Sequence, residues 1–469
     1  MSINQHVRST FSFIVFILLS ISVLAQPVQI DFNIQDYKDS VTYVGYHYGN
    51  QKYLLDTLEV RHGHFSLEVE NPKQGIYFVY SPDYYLEFIM DGGSFSLSTT
   101  KKGGYQEMTI EGSRENELFR DFQMTMGRLQ RKQREQITAL KEVSGQDSLN
   151  MLSSIRQLSD SMDVARQAII DANEGTFTAG FLKLLEEVEV PTMDSIADEN
   201  ERKVAQYNYY VKHYFEPNQL RDYRLLRTPV IHPKVMKLFD EVLVQHPDTI
   251  IYHMDEFMDQ VIDDPDSYRY WVVTLFKKYA ESKVMGMDAV MVHMIENYYL
   301  GGQADWVSED YEKKLREEVA YVKPNLIGKI APKIDVVDSL MQPVRLMDIQ
   351  SPYTLVFIYD PDCGHCKKAV KKLEENDQQL ADNGIQVFAV CTTTDVDRWK
   401  KFVRNSNPSW IHAIDPTGQS YFRVYYNVRS TPKIYLLDGE KKIIAKKLDV
   451  NQFIEFVERR EQQTVDSKQ

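Results

Sequence analysis

Cysteine is scarce in this chain of 469 residues, which contains 3 cysteines, all in its last quarter. This scarcity excludes a disulfide framework or a cysteine-rich zinc module in the body of the protein. Positive charge is also in deficit, because 54 Lys and Arg face 68 Asp and Glu, for a net charge of −14. That balance argues against a nucleic-acid binder that relies on a general basic field. The hydrophobic content of 43% is, by contrast, ordinary for a globular protein.

Apolar runs long enough to span a membrane are also lacking, because a membrane-spanning helix needs roughly 20 residues. The best candidate is the apolar run of residues 11–24, which follows the weakly basic His6 and Arg8. Val23-Leu24-Ala25 fits the −3 and −1 positions of a cleavage site. We therefore expect residues 1–25 to be an export signal peptide, with an uncleaved anchor as the alternative. The mature protein is expected outside the cytoplasm, without a stable membrane span.

Two different periodicities divide the front of the chain. Over residues 26–112, strand-like runs such as 28–32 place apolar side chains on one face and alternate with turn signals, which predicts an antiparallel β sandwich or barrel. From residue 113 to 323 the apolar spacing becomes helical, which predicts an all-α domain. Its first two amphipathic segments, separated at Gly145, are expected to form a helical hairpin.

Residues 324–469 have an α/β order. The runs 354–359 and 385–390 are continuously apolar, as is typical of strands buried on both faces. A lysine-rich helix is expected between them, from about residue 363 to 380. Asp438-Gly439 then signals a hairpin. The sequence thus predicts a multidomain protein whose C-terminal domain is an α/β layer with a mixed sheet.

The motif that carries chemistry is Cys363-Gly364-His365-Cys366. It follows a buried strand and begins a helix, where free N–H groups and the helix dipole stabilise a thiolate. The thiolate is the nucleophile of disulfide exchange, so Cys363 is the expected attacking thiol and Cys366 the resolving thiol. Protonation of His365 would favour this thiolate further.

Several influences and alternatives stay open at this point. Asp360 and Asp362 place negative charge beside the motif and oppose a thiolate. A zinc site would need two more ligands, and only Cys391 and His412 are at hand. A purely structural disulfide that closes so small a ring would stabilise the fold little. We therefore expect a redox centre with no metal and no cofactor.

This segment resembles the thioredoxin-fold domain of TlpA/ResA-like exported thiol-disulfide oxidoreductases. The resemblance covers about residues 326–460 and rests on an ordered set of motifs: Ile327-Gly328, Ala331-Pro332, the Cys363–Cys366 motif and Thr431-Pro432. It implies that Pro432 is cis and lies against the redox disulfide. It also implies that Thr431 offers backbone hydrogen bonds to a substrate peptide.

The chain departs from this family at three positions. Asp362 stands where thioredoxins carry tryptophan, Phe357 where they bury an aspartate, and Ala369 where ResA-like proteins have a glutamate. Because both carboxylates assist proton transfer from the resolving thiol, this protein lacks the usual acceptor or recruits another. The Gly-His dipeptide is that of the more oxidising disulfide isomerases, whereas the surroundings resemble those of reductases.

The domain order also resembles an arrangement common in Bacteroidota, which implies the periplasm or outer surface of a Gram-negative cell. We expect an oxidoreductase, with reduction slightly favoured over oxidation or isomerisation. Its expected partners are exported thiol or disulfide proteins and a redox partner that regenerates the cysteine pair. The alternatives are a binding or assembly protein with a non-catalytic thioredoxin scaffold, and peroxide reduction by a lone cysteine.

Overall fold

The computed structural model describes residues 27–407 and 409–466, so the predicted signal peptide, residues 1–25, lies outside the described residues. The chain divides into two compact units. Unit 1 extends to Glu186 and includes Arg224–His232, and unit 2 consists of Glu187–Tyr223 and the residues from Pro233 onward. The helical region thus contributes to both units, and the domain limits predicted at residues 112 and 323 stay predictions.

Unit 1 contains a β sandwich. Its sheets have the orders β4-β1-β7-β8 and β3-β2-β5-β6. Phe32 of one sheet packs against Phe88 of the other, with ring centroids 5.3 Å apart, in a shared apolar core. The strands are β1 (Val28–Gln35), β2 (Val41–Tyr48), β3 (Gln51–Glu59), β4 (His64–Val69), β5 (Gly75–Ser81), β6 (Tyr84–Met90), β7 (Phe95–Thr100) and β8 (Thr109–Glu111).

One strand pair of this sandwich differs from the antiparallel prediction. β1 and β7 pair in parallel, whereas the other pairs within the two sheets are antiparallel. The physical reason is the connection, because β2–β6 intervene between β1 and β7. Parallel neighbours require such a long crossover, which local alternation of side chains does not reveal.

After the sandwich, the described part of unit 1 continues with α1 (Arg114–Leu140), α2 (Gln146–Ala172) and α3 (Phe177–Lys183). The Ser113 hydroxyl caps α1 by accepting the backbone N–H of Asn116. α1 and α2 pack together, and Gln136 Nε2 donates a hydrogen bond to Ser154 Oγ at 2.9 Å. Gly145 precedes α2 with a φ of 64°. The predicted helical hairpin is therefore confirmed.

Further helices follow between residues 199 and 322. They are α4 (Glu199–Lys212), α5 (Ile231–Lys237), α6 (Pro247–Val261), α7 (Pro265–Ala280), α8 (Asp288–Met294) and α9 (Glu309–Val322). α6 and α7 begin at prolines, which suit a first turn because its N–H groups have no helical partner. α8 continues into a π-helical turn, Ile295–Tyr299.

The C-terminal part of unit 2 is built on a mixed sheet of order β10-β9-β13-β12-β11-β14-β15. β11, β12 and β13 are parallel, and β14 runs antiparallel to β11. Its strands are β9 (Asp335–Asp338), β10 (Pro343–Arg345), β11 (Tyr353–Tyr359), β12 (Ile385–Cys391), β13 (Ile411–Ile414), β14 (Lys433–Asp438) and β15 (Ile443–Lys446). The predicted α/β layer with a mixed sheet is confirmed.

The helices of this sheet domain are α10 (Gly364–Glu375), α11 (Asp377–Asp382), α12 (Val396–Val403), α13 (Phe422–Tyr425) and α14 (Val450–Asp466). The single helix predicted over residues 363–380 is wrong, because the chain breaks between α10 and α11 at Asn376. The Asn376 side chain donates to the carbonyl of Lys372 at 2.8 Å and competes with helix propagation. All seven residues of β11 are buried, which holds the start of α10 against a rigid core.

Candidate active site

Cys363 lies at the junction between the central strand and α10. β11 ends at Tyr359, and Cys363 is the N-cap residue of α10, with extended backbone angles of φ −68° and ψ 120°. The connection is short and ordered, since Asp360 accepts the N–H of Asp362 on its side chain at 2.8 Å and that of Cys363 on its carbonyl at 3.2 Å. Cys363 is half-buried at the helix N-terminus, as the motif predicts.

The helix N-terminus acts directly on the Cys363 sulfur. The main cause that lowers the pKa of Cys363 is a hydrogen bond from the backbone N–H of Cys366. The Cys366 side chain, Thr431 and the N–H of His365 lower this pKa further. The N–H groups of His365 and Cys366 are among those that the first turn of a helix leaves without a helical partner. The effect of the exposed His365 imidazole stays a prediction.

Cys366 lies one turn further along α10 and has a contrasting environment. It is 1% exposed, and burial raises its pKa to about 11. The N–H of Asp360 and the side chain of Thr431 oppose this rise only in part. The two free thiols are thus unequal, because Cys363 is accessible with a lowered pKa, whereas Cys366 is enclosed and protonated.

Arg398 pairs with Asp360 and Asp362, the two acidic residues beside the cysteine motif. Its guanidinium forms ion pairs with both carboxylates, at 3.5 Å from Asp360 and also with Asp362. α12 positions this arginine, and Asp395 caps that helix by accepting the N–H of Arg398 at 3.0 Å. Both carboxylates that flank the motif therefore have a counter-ion. Sequence reasoning missed Arg398, since no local pattern links it to Asp362, 36 residues earlier in the chain.

Thr431 and Pro432 meet the cysteine motif in space. The Thr431-Pro432 peptide bond is cis, and Cys363 Sγ donates a hydrogen bond to the Thr431 carbonyl at 3.4 Å. Both residues are partly exposed, so the carbonyl and the sulfur share an accessible surface. The site thereby joins the N-terminus of α10 to the residues directly before β14.

No carboxylate occupies the two positions at which the family usually carries one. Phe357 is fully buried and stacks on Tyr359, with ring centroids 5.3 Å apart, and Ala369 packs against the same core. Burial raises the pKa of the Tyr359 phenol instead, and the neighbouring Cys391 and Cys366 thiols raise it further. Across the sheet, Tyr359 pairs in register with Cys391, and burial raises the pKa of that thiol to about 12.

His412, the histidine considered for a zinc site, is engaged by a backbone carbonyl. His412 is buried, and its Nε2 hydrogen-bonds the carbonyl of Asn407 at 2.9 Å. Within residues 27–407 and 409–466, no group of three or more His, Cys, Asp or Glu side chains is arranged to hold a metal ion. Across the same described residues, no helix is both long and apolar enough to cross a membrane.

Two family models match parts of this chain. Residues 327–446 match the model of the AhpC/TSA family, and residues 28–119 match a domain of unknown function, DUF4369. No curated protein matches significantly.

Similar solved structures come from several bacteria. A domain of a possible thiol-disulfide isomerase from Cytophaga hutchinsonii is 31% identical, with 30% of this chain and 97% of that chain covered and a TM-score of 0.29. A thioredoxin domain of a thiol-disulfide oxidoreductase from Bacteroides vulgatus is 27% identical, with coverages of 28% and 96% and a TM-score of 0.27. A thioredoxin-like protein from Bacteroides caccae is 18% identical, with coverages of 58% and 98% and a TM-score of 0.43. The family match over residues 327–446 is joined by the 31% identity to the Cytophaga hutchinsonii domain. The chain therefore belongs to the TlpA-like thioredoxin-fold proteins, and its C-terminal domain is that of a thioredoxin-like oxidoreductase.

Proposed function

We propose that the protein is an extracytoplasmic thiol-disulfide oxidoreductase whose redox centre is Cys363-Gly364-His365-Cys366. The observation that carries this proposal is the inequality of the two thiols, one accessible with a lowered pKa and one buried with a raised pKa. Disulfide exchange needs this division, because the attacking thiol must be ionised and the resolving thiol must wait. A non-catalytic scaffold does not require two thiols that differ in pKa and accessibility.

The reaction proceeds in two exchange steps. The Cys363 thiolate attacks one sulfur of a substrate disulfide, forms a mixed disulfide and releases the other substrate sulfur as a thiolate, which takes up a proton. Cys366 then loses its proton, attacks Cys363 Sγ and releases the second substrate thiol. The substrate gains two electrons and two protons, and the protein is left with a Cys363–Cys366 disulfide. A dithiol reductant must return it to the dithiol state.

Neighbouring residues have proposed roles in positioning. The Thr431 backbone and Pro432 present a surface to the substrate peptide beside Cys363. A Cβ at Gly364 would meet no atom within 4 Å, so the space beside this residue is open to an approaching peptide. His365 contributes its N–H to the thiolate. The lowered pKa of Cys363 and the raised pKa of Cys366 do not by themselves determine the redox direction. We favour reduction because the sequence around the motif resembles that of reductases.

The proposed substrates are exported proteins that contain disulfides or thiols, and a separate redox partner regenerates the cysteine pair. We place the protein in the periplasm or on the outer surface of a Gram-negative cell, after removal of a signal peptide at residues 1–25. Fractionation of cells that express the full chain tests this location. Protein retained in the cytoplasm with residues 1–25 intact would contradict it.

Cysteine substitutions test the activity. Cys363→Ser should abolish insulin reduction, whereas Cys366→Ser should accumulate mixed disulfides with substrate, because attack still occurs and resolution does not. Cys391→Ala serves as the control that removes a thiol without touching the pair. If Cys363→Ser reduced insulin as fast as the parent, the proposal would be wrong, and a binding or assembly role would be the better description.

A further inference from the structure

A cleft of about 510 Å³ opens beside Pro432 within unit 2. One wall is the end of the cis-proline segment and the start of β14, including Ser430, Pro432 and Lys433. The opposite wall comes from the helical region, through Tyr279 of α7 and Asp288 of α8. Because Thr431 contacts Cys363 Sγ, a polypeptide bound at the redox centre has this cleft as its neighbour.

Polar atoms in the walls of the cleft lack hydrogen-bond partners. Tyr279 Oη, Asp288 Oδ1 and Asn325 Oδ1 are buried and have no partner within the described part of the chain. Tyr279 and Asn325 are each 3% exposed. Buried polar atoms without a partner are costly, and all three of these belong to residues that line one cleft.

The orientation of two of these oxygens is well determined. Asn325 Nδ2 donates to the carbonyls of Tyr321 at 2.9 Å and Tyr425 at 2.6 Å, which leaves its oxygen as the unpaired atom. Asp288 Oδ2 pairs with Lys446, whose ammonium is buried, so Oδ1 is the free acceptor. Two acceptor oxygens without a donor therefore belong to side chains that line the cleft.

Lys433 adds a donor with positive charge. It is half-buried, and burial, together with the charges of Lys447 and Arg429, lowers its pKa. Within residues 27–407 and 409–466, its ammonium forms no hydrogen bond or ion pair. Glu318 is paired with Arg429 at 2.7 Å, and Asp288 with Lys446. The charge left over in the cleft is thus positive.

We propose that this cleft is a specificity pocket for a carboxamide side chain, Asn or Gln, in the polypeptide that flanks the substrate cysteine. A carboxamide NH₂ supplies the donors that Asp288 Oδ1 and Asn325 Oδ1 lack, and its carbonyl accepts from Lys433 or Tyr279. The positive charge of Lys433 would repel a lysine, and the two acceptor oxygens would repel a carboxylate. An apolar side chain would leave the polar groups of the cleft without partners. This inference rests on the proposed function for its substrate, and it gives the helical region a part in recognition.

The test uses the full chain and cysteine peptides that are joined to glutathione by a disulfide. The peptides differ only by Gln, Leu, Glu or Lys at each of the three positions on either side of the cysteine. We expect Gln to give the highest kcat/KM at one position, and Tyr279→Phe and Lys433→Met each to reduce the Gln-over-Leu preference about fivefold, the effect of one lost hydrogen bond. Tyr84→Phe is the matched control, because it also removes a buried unpaired hydroxyl but outside the cleft.

Two further readouts separate this inference from the proposed function. Turnover of hydroxyethyl disulfide, which is too small to reach the cleft, should be unchanged in both variants. Calorimetric titration with the Gln and Leu peptides carrying serine for cysteine measures binding without any redox step. Failure of the parent to reduce hydroxyethyl disulfide would overturn the proposed function alone. Equal rates and equal binding for all four residues, or a Gln preference retained in both variants, would overturn the cleft.

Discussion

The backbone N–H of His365 offers a direct way to perturb the attacking thiol. This N–H is one of the donors that lower the pKa of Cys363, and His365 is the second residue of α10. Proline at this position removes the donor, and the first turn of a helix tolerates proline because its N–H groups have no helical partner. The preceding Gly364 accepts the backbone restriction that proline imposes. His365→Pro should therefore weaken the thiolate without unfolding the helix.

The expected size of this effect follows from the remaining donors. The N–H of Cys366 is the largest contributor and is retained, as is Thr431. Because Cys363 is half-exposed, water screens and partly replaces a single lost hydrogen bond. We expect the thiolate fraction at pH 7 to fall about three- to tenfold in His365→Pro. His365→Ala is the matched control, since it removes the imidazole and keeps the N–H.

The assay is the rate of iodoacetamide alkylation of Cys363 as a function of pH, followed by mass spectrometry of the Cys363 peptide. The Pro variant should require a higher pH for half-maximal rate than the Ala variant. If the two variants shift equally, the imidazole is the stabilising group and the N–H is not. If the Pro variant matches the parent, the helix N-terminus does not stabilise the thiolate.

Three further predictions concern groups around the site. Arg398→Gln should slow Cys363 alkylation at pH 7 about two- to threefold at low salt, because two carboxylates lose their cation, and added NaCl should shrink this difference. Cys391→Ala should leave insulin reduction within about twofold of the parent. Because burial raises the pKa of Cys391 to about 12, this thiol stabilises the fold below pH 9, and the stabilisation is lost as the pH rises toward 12. The free energy of unfolding in urea should therefore fall less steeply above pH 9 in Cys391→Ala than in the parent. Lys446→Met should lower the free energy of unfolding in urea by about 3–5 kcal/mol, and adding Asp288→Leu should recover most of it, because a buried charge without a partner costs more than an apolar pair.

Each of these has a contradicting outcome. An Arg398→Gln protein that alkylates at the parent's rate in low salt would mean that the two carboxylates do not act on Cys363. Loss of insulin reduction in folded Cys391→Ala would give that thiol a redox role. Additive losses in the Lys446 and Asp288 double variant would show that the two groups stabilise the fold independently.

Local sequence predicted the parts of the site that depend on local structure. The apolar run of β11 and the change to helical spacing place Cys363 at a strand-to-helix junction, and both follow from residues within a dozen positions. The cis bond before Pro432 agrees with what the family resemblance implies. The roles of the site residues, by contrast, stay predictions until the cysteine variants are assayed.

Features that depend on long-range packing could not be predicted from one sequence. Arg398 reaches the carboxylates beside the motif from another helix. This ion pairing depends on a tertiary arrangement that periodicity does not encode. The cleft beside Pro432 needs Asp288 and Asn325 to meet β14 and β15. The parallel pairing of β1 with β7 likewise depends on the path of the intervening chain.

The redox equilibrium of the full chain in glutathione buffers tests the central claim most directly. We predict that Cys363 and Cys366 form one intramolecular disulfide, identified in the peptide map, with a potential closer to about −270 mV than to about −180 mV. Two thiols that stay free in oxidised glutathione, or that each form only a glutathione adduct, would contradict the claim that they are a single redox couple.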